Sequence, residues 1–288
     1  MRSTLFKIFG IPIRAYGLMM VIGFVLGVSR AARVAKRRGI APERMWDLGL
    51  VVLVSGVVGA RLVYVLLNPP PMLRGCGLPR SIGGWVESLR EFLAVWNGGL
   101  SFHGGVAFAV LFGWLYVRRV GIGFWVAADL SAPSGAIGYA VTRIGCFLNG
   151  CCYGAPTNLP WAVRFNDHGF ITPPSHPTQI YAALANLLIF CILTRLEKVR
   201  RAPGFVFISY LGLYSVYRFA IEFLRKGYSA QVSLLGLTQA QWASAVIGVA
   251  CAVAIAARYR RAPNRESAPF DPSAGSGLRM RRKPERAG

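Results

Sequence analysis

Acidic residues are scarce in this 288-residue chain: 11 Asp and Glu stand against 33 Lys and Arg, which gives a formal net charge of +22. Such an excess can indicate nucleic-acid binding. Here the basic residues form short blocks that separate long apolar runs, a pattern that the positive-inside rule of membrane proteins explains better. We therefore expect the protein to lie in a lipid bilayer, and we expect no binding of nucleic acid by its basic residues.

Signals of a disulfide-rich domain, a transporter and a secreted protein are also missing. The six cysteines do not form a disulfide framework, and no internal repeat of the kind common in transporters is evident. The first apolar run leads directly into a basic block, so we expect it to be retained and not cleaved as a signal peptide. The chain is instead 54% hydrophobic, with a mean hydropathy of +0.46, which excludes a soluble domain of this length.

Seven apolar runs approach the roughly 20 residues that cross a bilayer. We predict an all-α integral membrane protein, a bundle of about seven transmembrane helices. The predicted spans cover residues 16–32, 46–67, 106–119, 124–143, 178–194, 204–224 and 237–257. The first span contains Gly23-x-x-x-Gly27, a spacing that lets another helix pack closely. Seven spans put the N-terminus outside, the C-terminus in the cytoplasm and every strongly basic block on the cytoplasmic side.

The segments outside the spans receive simpler predictions. Residues 1–14 form a short leader on the outer side, and residues 68–98 form an outer loop. In this loop apolar side chains recur at i, i+4, i+7 and i+11, at Trp85, Leu89, Phe92 and Trp96. The pattern predicts an amphipathic helix, which lies either on the membrane surface or on the protein itself. We assign residues 1–260 to one membrane domain and expect residues 261–288 to form a basic, disordered cytoplasmic tail.

The stretch at 142–154, TRIGCFLNGCCYG, ends a long apolar run yet contains an arginine, an asparagine, three cysteines and three glycines. Its Arg143 lies where the fourth span should close. An arginine at the centre of a bilayer costs about 2.5 kcal/mol or more. A chain that keeps one near membrane depth usually gives it an anionic partner.

Other polar groups lie at similar depth. In the sixth span, Tyr214, Arg218 and Glu222 are spaced i, i+4 and i+8 and share one helical face. Arg218 could simply pair with Glu222 as a structural ion pair. Four cationic or titratable groups are nevertheless predicted in the outer half of the bilayer: Arg61, His103, Arg143 and Arg218. With few acids between them, they favour an anionic ligand, and the anion normally found at that depth is a lipid phosphate.

The cysteine cluster allows two structural alternatives. Cys146, Cys151 and Cys152, with His168 and His176 further on, could bind zinc, although Cys-x4-Cys-Cys is not a usual zinc spacing. A disulfide to Cys76 is also open, because both segments are predicted to face an oxidising compartment. Our prediction for the site itself includes no metal.

These residues are similar to those of a known family, the phosphatidylglycerol–prolipoprotein diacylglyceryl transferases of bacterial membranes. The matching motifs are YGLM at 16–19, GGLSFHGG at 98–105, the stretch at 143–154, HPTQIY at 176–181, and Tyr-x3-Arg-x3-Glu-x2-Arg at 214–225. Five matches in order, with compatible spacing and the same seven-span layout, make the resemblance specific. It covers nearly the whole chain.

The resemblance implies an enzyme of the cell inner membrane. It transfers the diacylglyceryl group of phosphatidylglycerol to the lipobox cysteine thiol of a prolipoprotein, forming a thioether and releasing glycerol phosphate, without metal or soluble cofactor. The implied catalytic residues are His103, Arg143 and Arg218. Arg143 also binds phosphatidylglycerol, together with Tyr16, Asn149, Gly154, Tyr214 and Glu222, and the predicted depth of Arg61 adds a further cation.

The residue types fit this chemistry. A free thiol of pKa about 8.5 is only a few per cent ionised at pH 7. A base such as His103, or nearby arginines, would increase the thiolate fraction, and both possibilities stay open. Arg143 and Arg218 could hold the oxygens of the leaving phosphate, for which guanidinium forks are better suited than lysine.

Four positions depart from the better-known members of the family, which have Gly, Asn, an acid and often Glu where this chain has Thr142, Cys146, Cys151 and Ala182. Two alternatives therefore stay beside the first reading. One is a lipid-handling or transport protein of the same fold without transferase activity. The other is a transferase that acts on a different thiol acceptor.

Overall fold

The computed structural model describes residues 4–8, 11–68, 99–167, 170–199, 202–225 and 236–261. Within these ranges the chain forms seven helices: α1 Ala15–Arg37, α2 Glu43–Leu67, α3 Phe102–Arg119, α4 Phe124–Asn149, α5 Thr178–Leu196, α6 Phe205–Glu222 and α7 Gln239–Arg261. Two antiparallel strand pairs join β1 Thr4–Ile8 to β2 Ile11–Arg14 and β3 Asn166–Asp167 to β4 Phe170–Ile171. Each predicted span coincides with one helix.

The helices have the surface expected of a membrane protein. Four of them, α1, α2, α5 and α7, are long and apolar enough to cross a bilayer. Large apolar side chains face outward: Leu50 is 57% exposed, Leu184 61% and Val246 65%. Water would penalise such an exterior, whereas hydrocarbon would not. The protein is therefore an all-α membrane protein, as predicted.

The described helices form two compact units. The α2–α3 unit spans residues 39–124, and the α4–α7 unit contains α1 together with the described residues between 125 and 261. In the α2–α3 unit, glycines allow the two helices to approach closely. A Cβ added to Gly104 would lie 2.5 Å from the carbonyl oxygen of Gly59, a distance that no larger residue could tolerate.

In the α4–α7 unit, α1 packs against α4 through Gly23 and Gly27. A Cβ on these residues would lie 2.7 Å from the carbonyl oxygen of Gly138 and 2.8 Å from that of Ser134. The predicted role of the Gly-x-x-x-Gly spacing is therefore confirmed. The neighbouring core joins α4, α5 and the start of α6, and it consists of Ala132, Ala136, Ile189, Leu193 and Val206.

Asp129, an acid within the fourth span, holds the beginning of α6. Its carboxylate accepts hydrogen bonds from the backbone N–H groups of Gly204 at 2.7 Å and Phe207 at 2.8 Å. The side chain is buried. It satisfies N–H groups that the first turn of a helix leaves without partners and complements the positive end of the helix dipole.

The structure departs from the sequence prediction at three places. Residues 4–8 and 11–14, predicted only as part of a short leader on the outer side, form the β1–β2 pair. The fourth helix continues beyond Arg143 to Asn149, so Cys146 lies on a helix and not in a loop. The last helix continues to Arg261, beyond the predicted end of the seventh span at Ala257. The outer amphipathic helix, Cys76, His168 and the tail at 262–288 lie outside the described residues.

Candidate active site

Arg143 lies in the last two turns of α4 and contacts Tyr139 one turn earlier. Its Nη2 donates a hydrogen bond to the phenol oxygen of Tyr139, and its Cζ lies 4.6 Å from the centroid of the same ring. Among the described residues, the ion pairs of this unit join Arg30 and Arg38 to Glu197, and Arg218 to Glu222. Arg143 takes part in none of them. Its guanidinium is half-buried and bound by a neutral phenol, which leaves donors for an anion.

Tyrosines from α4 and α6 surround this arginine. The ring of Tyr139 meets that of Tyr214 edge to face, with centroids 5.8 Å apart. Tyr214 contacts Tyr210 at 6.0 Å and Tyr217 at 5.7 Å. Their hydroxyls can both donate and accept hydrogen bonds, so the region combines an apolar lining with polar groups suited to the head of a lipid. The sequence analysis predicts a site role for Tyr214 but not for Tyr210 or Tyr217. The spacing of the three tyrosines at i, i+4 and i+7 places them on one face of α6, and this pattern could have indicated the other two.

Arg218 and Glu222 form the ion pair that their i, i+4 spacing predicts. The carboxylate is fully buried, and the guanidinium is 21% exposed. The second carboxylate oxygen of Glu222 accepts a hydrogen bond from the Thr238 hydroxyl at 3.4 Å. Both oxygens of Glu222 are thus used within the chain, and this carboxylate orients Arg218.

Thr238 is itself fixed by the start of α7. Its backbone N–H donates to Oε1 of Gln241 at 2.9 Å, and its hydroxyl accepts from the Gln241 backbone N–H at 3.2 Å. This reciprocal arrangement is a capping box. The sequence Thr-x-x-Gln at 238–241 carried that signal, which our sequence prediction did not use.

Gly150 ends α4 with a left-handed turn (φ +75°). The Gly150 N–H donates to the carbonyl of Phe147 at 3.1 Å, and the Cys151 N–H donates to that of Cys146 at 3.2 Å. These two bonds define a Schellman motif, in which glycine is favoured because it adopts positive φ without steric cost. The turn brings Cys151 back over Cys146 and leaves Asn149 as the last helical residue.

The thiols of Cys146, Cys151 and Cys152 converge, with all three sulfur atoms within 4.8 Å of one another. Cys152 adopts positive φ (66°), which is uncommon outside glycine. Two side chains from the start of α5 hold this backbone: the Thr178 hydroxyl donates to the carbonyl of Cys152 and the Gln179 amide to that of Cys151, each at 2.7 Å. These residues belong to the HPTQIY motif but had received no predicted role.

The surroundings of the cluster change the pKa values of the Cys151 and Cys152 thiols. Hydrogen bonds from the Cys146 and Cys151 thiols, together with the charges of Arg143 and Arg225, lower the pKa of Cys152 well below its ordinary value. For Cys151, the interaction with the Cys146 thiol lowers the pKa, but the interaction with the Cys152 thiol and partial burial outweigh it, so the pKa is raised overall. Cys152 is therefore the thiol of the cluster that ionises most readily. All five described cysteines carry free thiols.

Two further predicted residues lie around this segment. Gly154 forms a bridge with Arg225, and a Cβ there would lie 2.4 Å from the carbonyl oxygen of Leu224. It therefore fastens the segment after α4 to the end of α6. Tyr16, at the start of α1, interacts electrostatically with Arg143 and with the three cysteines, which places it beside the predicted site.

The α2–α3 unit holds the other two predicted residues. Arg61 is buried; its Nη1 donates to the carbonyl of Gly99 at 2.9 Å, and its Cζ lies 5.5 Å from the Tyr64 ring centroid. His103 is exposed in the first turn of α3, edge-on to Phe102. The glycine after His103 packs on α2, so its small size serves helix packing and not the access of a substrate.

Comparison with known proteins identifies the family of this chain. The sequence model of the prolipoprotein diacylglyceryl transferase family matches residues 3–257. A phosphatidylglycerol–prolipoprotein diacylglyceryl transferase of Geobacter sulfurreducens is 34% identical over 80% of this chain and 84% of its own. Enzymes of the same name are 31% identical in Trichormus variabilis, over 93% of this chain and 94% of theirs, and 35% identical in Thermotoga maritima, over 77% and 73%. This chain belongs to the prolipoprotein diacylglyceryl transferase family.

Proposed function

We propose that the protein transfers the diacylglyceryl group of phosphatidylglycerol to the thiol of the lipobox cysteine of a prolipoprotein. The family membership and the names of the relatives support this activity. In the reaction the cysteine sulfur attacks the glycerol carbon that carries the phosphate, and a carbon–sulfur bond forms. The carbon–oxygen bond to the phosphate breaks, glycerol phosphate leaves, and the thiol proton passes to a base.

The observation that supports this proposal best is the state of Arg143. Its guanidinium is half-buried, stacked on Tyr139 and outside every ion pair of the described residues. A planar fork of N–H donors matches two oxygens of a phosphate. Negative charge builds on those oxygens as the phosphate leaves, so donors fixed in advance stabilise the transition state more than the substrate.

Arg218 is the second cation in the proposal. Glu222 binds one side of its guanidinium, and the remaining donors are available to the phosphate, since the group is 21% exposed. We assign substrate contacts to Tyr16, Arg61, Asn149, Gly154 and Tyr214 as well. We assign general-base catalysis to His103, because histidine is the side chain that most often serves as a general base in enzymes.

The proposal includes an orientation in the cell inner membrane, with the N-terminus outside and the C-terminus in the cytoplasm. The basic ends of α1 and α5 support it. Arg30 and Arg38 at the end of α1 both pair with Glu197, directly after α5. Both ends are predicted to be cytoplasmic, and the positive-inside rule favours that side for their excess of positive charge.

A transfer assay tests the proposal. Wild type and Arg143→Ala would be compared in phosphatidylglycerol vesicles with a lipobox peptide, and the thioether product measured by mass spectrometry. Arg33→Ala is the matched control, because Arg33 is an exposed arginine whose one hydrogen bond within the described part of the chain goes to the carbonyl of Ser29. We expect product from wild type and the control, and none from Arg143→Ala. A folded wild type that forms no product would favour a different thiol acceptor or lipid handling without transfer.

A further inference from the structure

We propose that Cys146, Cys151 and Cys152 form a binding site for one thiophilic divalent metal ion of the zinc class. Their sulfur atoms all lie within 4.8 Å of one another. Three thiolates around a four-coordinate zinc ion, each about 2.3 Å from the metal, are about 3.8 Å apart. Small side-chain rotations are therefore enough to bring all three sulfurs to one ion.

The backbone prepares this arrangement. The Schellman turn at Gly150 carries Cys151 back to Cys146. Neighbouring residues of an extended chain point to opposite sides, so two consecutive cysteines would not ordinarily face one ion. The positive φ of Cys152 removes that difficulty, and the hydrogen bonds from Thr178 and Gln179 keep the backbone in this less favourable conformation.

The surrounding charge suits an anionic metal–thiolate centre. A divalent ion with three thiolates carries a net charge of about −1. Arg143 and Arg225 both act on the Cys152 thiol electrostatically, and they compensate this charge. The three cysteines differ in solvent exposure: Cys146 is buried and Cys152 is exposed. An ion can therefore enter from the side of Cys152 and keep its fourth coordination position open to water.

The structure also explains why the spacing looked unsuitable in the sequence. Zinc sites usually take two cysteines from one short loop. Here the first ligand comes from the last turn of α4 and the others from the segment after it, where a left-handed turn replaces the usual loop. The cluster lies next to Arg143 and Tyr16, but no step of the proposed transfer chemistry uses a metal.

Cadmium is the probe for the test, because thiolate coordination to cadmium gives a charge-transfer absorption in the ultraviolet. Full-length protein in detergent, reduced and carrying Cys76→Ala, would be titrated with cadmium. We expect one ion per chain and a signal typical of several thiolates. Cys152→Ser should weaken binding by about tenfold or more. Cys191→Ala is the matched control, since this cysteine is free but outside the cluster, and it should bind as before.

A second variant distinguishes a loss of the metal site from a general loss of folding. Thr178→Val keeps the shape of the side chain but removes the hydrogen bond to the Cys152 carbonyl, so it should weaken cadmium binding while every thiol remains. Equal binding by Cys152→Ser and its parent, or no absorption from reduced protein, would overturn the proposal. A loss of two thiols on exposure to a small disulfide such as oxidised glutathione, with no cadmium binding by the reduced protein, would assign the cluster to a redox pair instead.

Discussion

Arg143 donates a hydrogen bond to the hydroxyl of Tyr139 and stacks on the same ring, with its Cζ 4.6 Å from the ring centroid. One aromatic residue thus fixes both the direction and the plane of the guanidinium. The two contributions can be separated, because the hydroxyl can be removed without the ring.

Tyr139→Phe should lower kcat/KM for transfer by about ten- to a hundredfold, since a hydrogen bond to a charged group contributes about 1.5–3 kcal/mol and stacking remains. Tyr139→Ala should lower it further, because both contacts are lost. The measurement is the vesicle assay with wild type and both variants at equal concentrations of folded protein. Equal losses in the two variants would mean that the ring does not contribute.

Glu222→Gln should destabilise the protein, because it leaves Arg218 without its carboxylate. Removing one partner of a buried ion pair costs about 3–5 kcal/mol, and we expect the lower end since Arg218 is 21% exposed. Thermal unfolding in detergent measures the effect. Glu43→Gln, at an exposed acid in the first turn of α2, is the control. Unchanged stability with abolished transfer would place Glu222 in substrate contact and not in positioning Arg218.

Gly154→Ala should lower stability by about 1–3 kcal/mol through overpacking, because the new Cβ would lie 2.4 Å from the carbonyl oxygen of Leu224. Gly17→Ala is the matched control, since nothing lies within 4 Å of a Cβ at that position. Both would be compared by thermal unfolding and by transfer kinetics. A normal melting temperature with a raised KM would show that Gly154 acts through the substrate.

Cys152 should react with iodoacetamide over an unusually wide pH range. Only the thiolate is alkylated, and an ordinary thiol of pKa about 8.5 loses about tenfold in rate per pH unit below that value. The lowered pKa of Cys152 keeps it ionised at lower pH, so its rate should change little between about pH 8 and about pH 6. Mass spectrometry of the labelled wild-type protein, with fragmentation to locate the modified cysteine, gives the rate; the urea-unfolded protein is the reference. A tenfold fall per unit in the folded protein would contradict the prediction.

Local patterns predicted the features that depend on neighbouring residues. The apolar runs predicted all seven helices of the described residues. The Gly23-x-x-x-Gly27 spacing predicted a close contact with another helix, which the structure shows to be α4. The spacing of Arg218 and Glu222 gave an ion pair within one helix. In each case a helical period of 3.6 residues brings the relevant groups to the same face, so the sequence contains the geometry.

Other features depend on residues far apart in the chain. The Asp129 carboxylate accepts hydrogen bonds from Gly204 and Phe207, which are 75 and 78 residues away in the chain. The hydropathy pattern does not indicate which residues such a buried carboxylate will contact. The end of α4 was misplaced because the charge of Arg143 was taken as the edge of the span, whereas Gly150 ends the helix through its backbone conformation. The catalytic and substrate-binding roles at His103, Arg143, Arg218 and the neighbouring residues remain predictions.

The hydrogen bond between Asp129 and the Gly204 N–H is also a common reference point for the positions of Arg143 and Arg218 along their helices. Arg143 follows Asp129 by fourteen residues, and Arg218 follows Gly204 by fourteen. The helices run in parallel from this shared point, as the Trp125–Phe207 and Tyr139–Tyr214 ring contacts show. Along an ideal helix, at 1.5 Å per residue, fourteen residues correspond to a rise of about 21 Å. One inserted residue in either helix would turn its arginine by about 100° and raise it by about 1.5 Å. The equal spacing from cap to arginine would then be lost, and with it the common level at which, in our proposal, the two guanidiniums hold one phosphate.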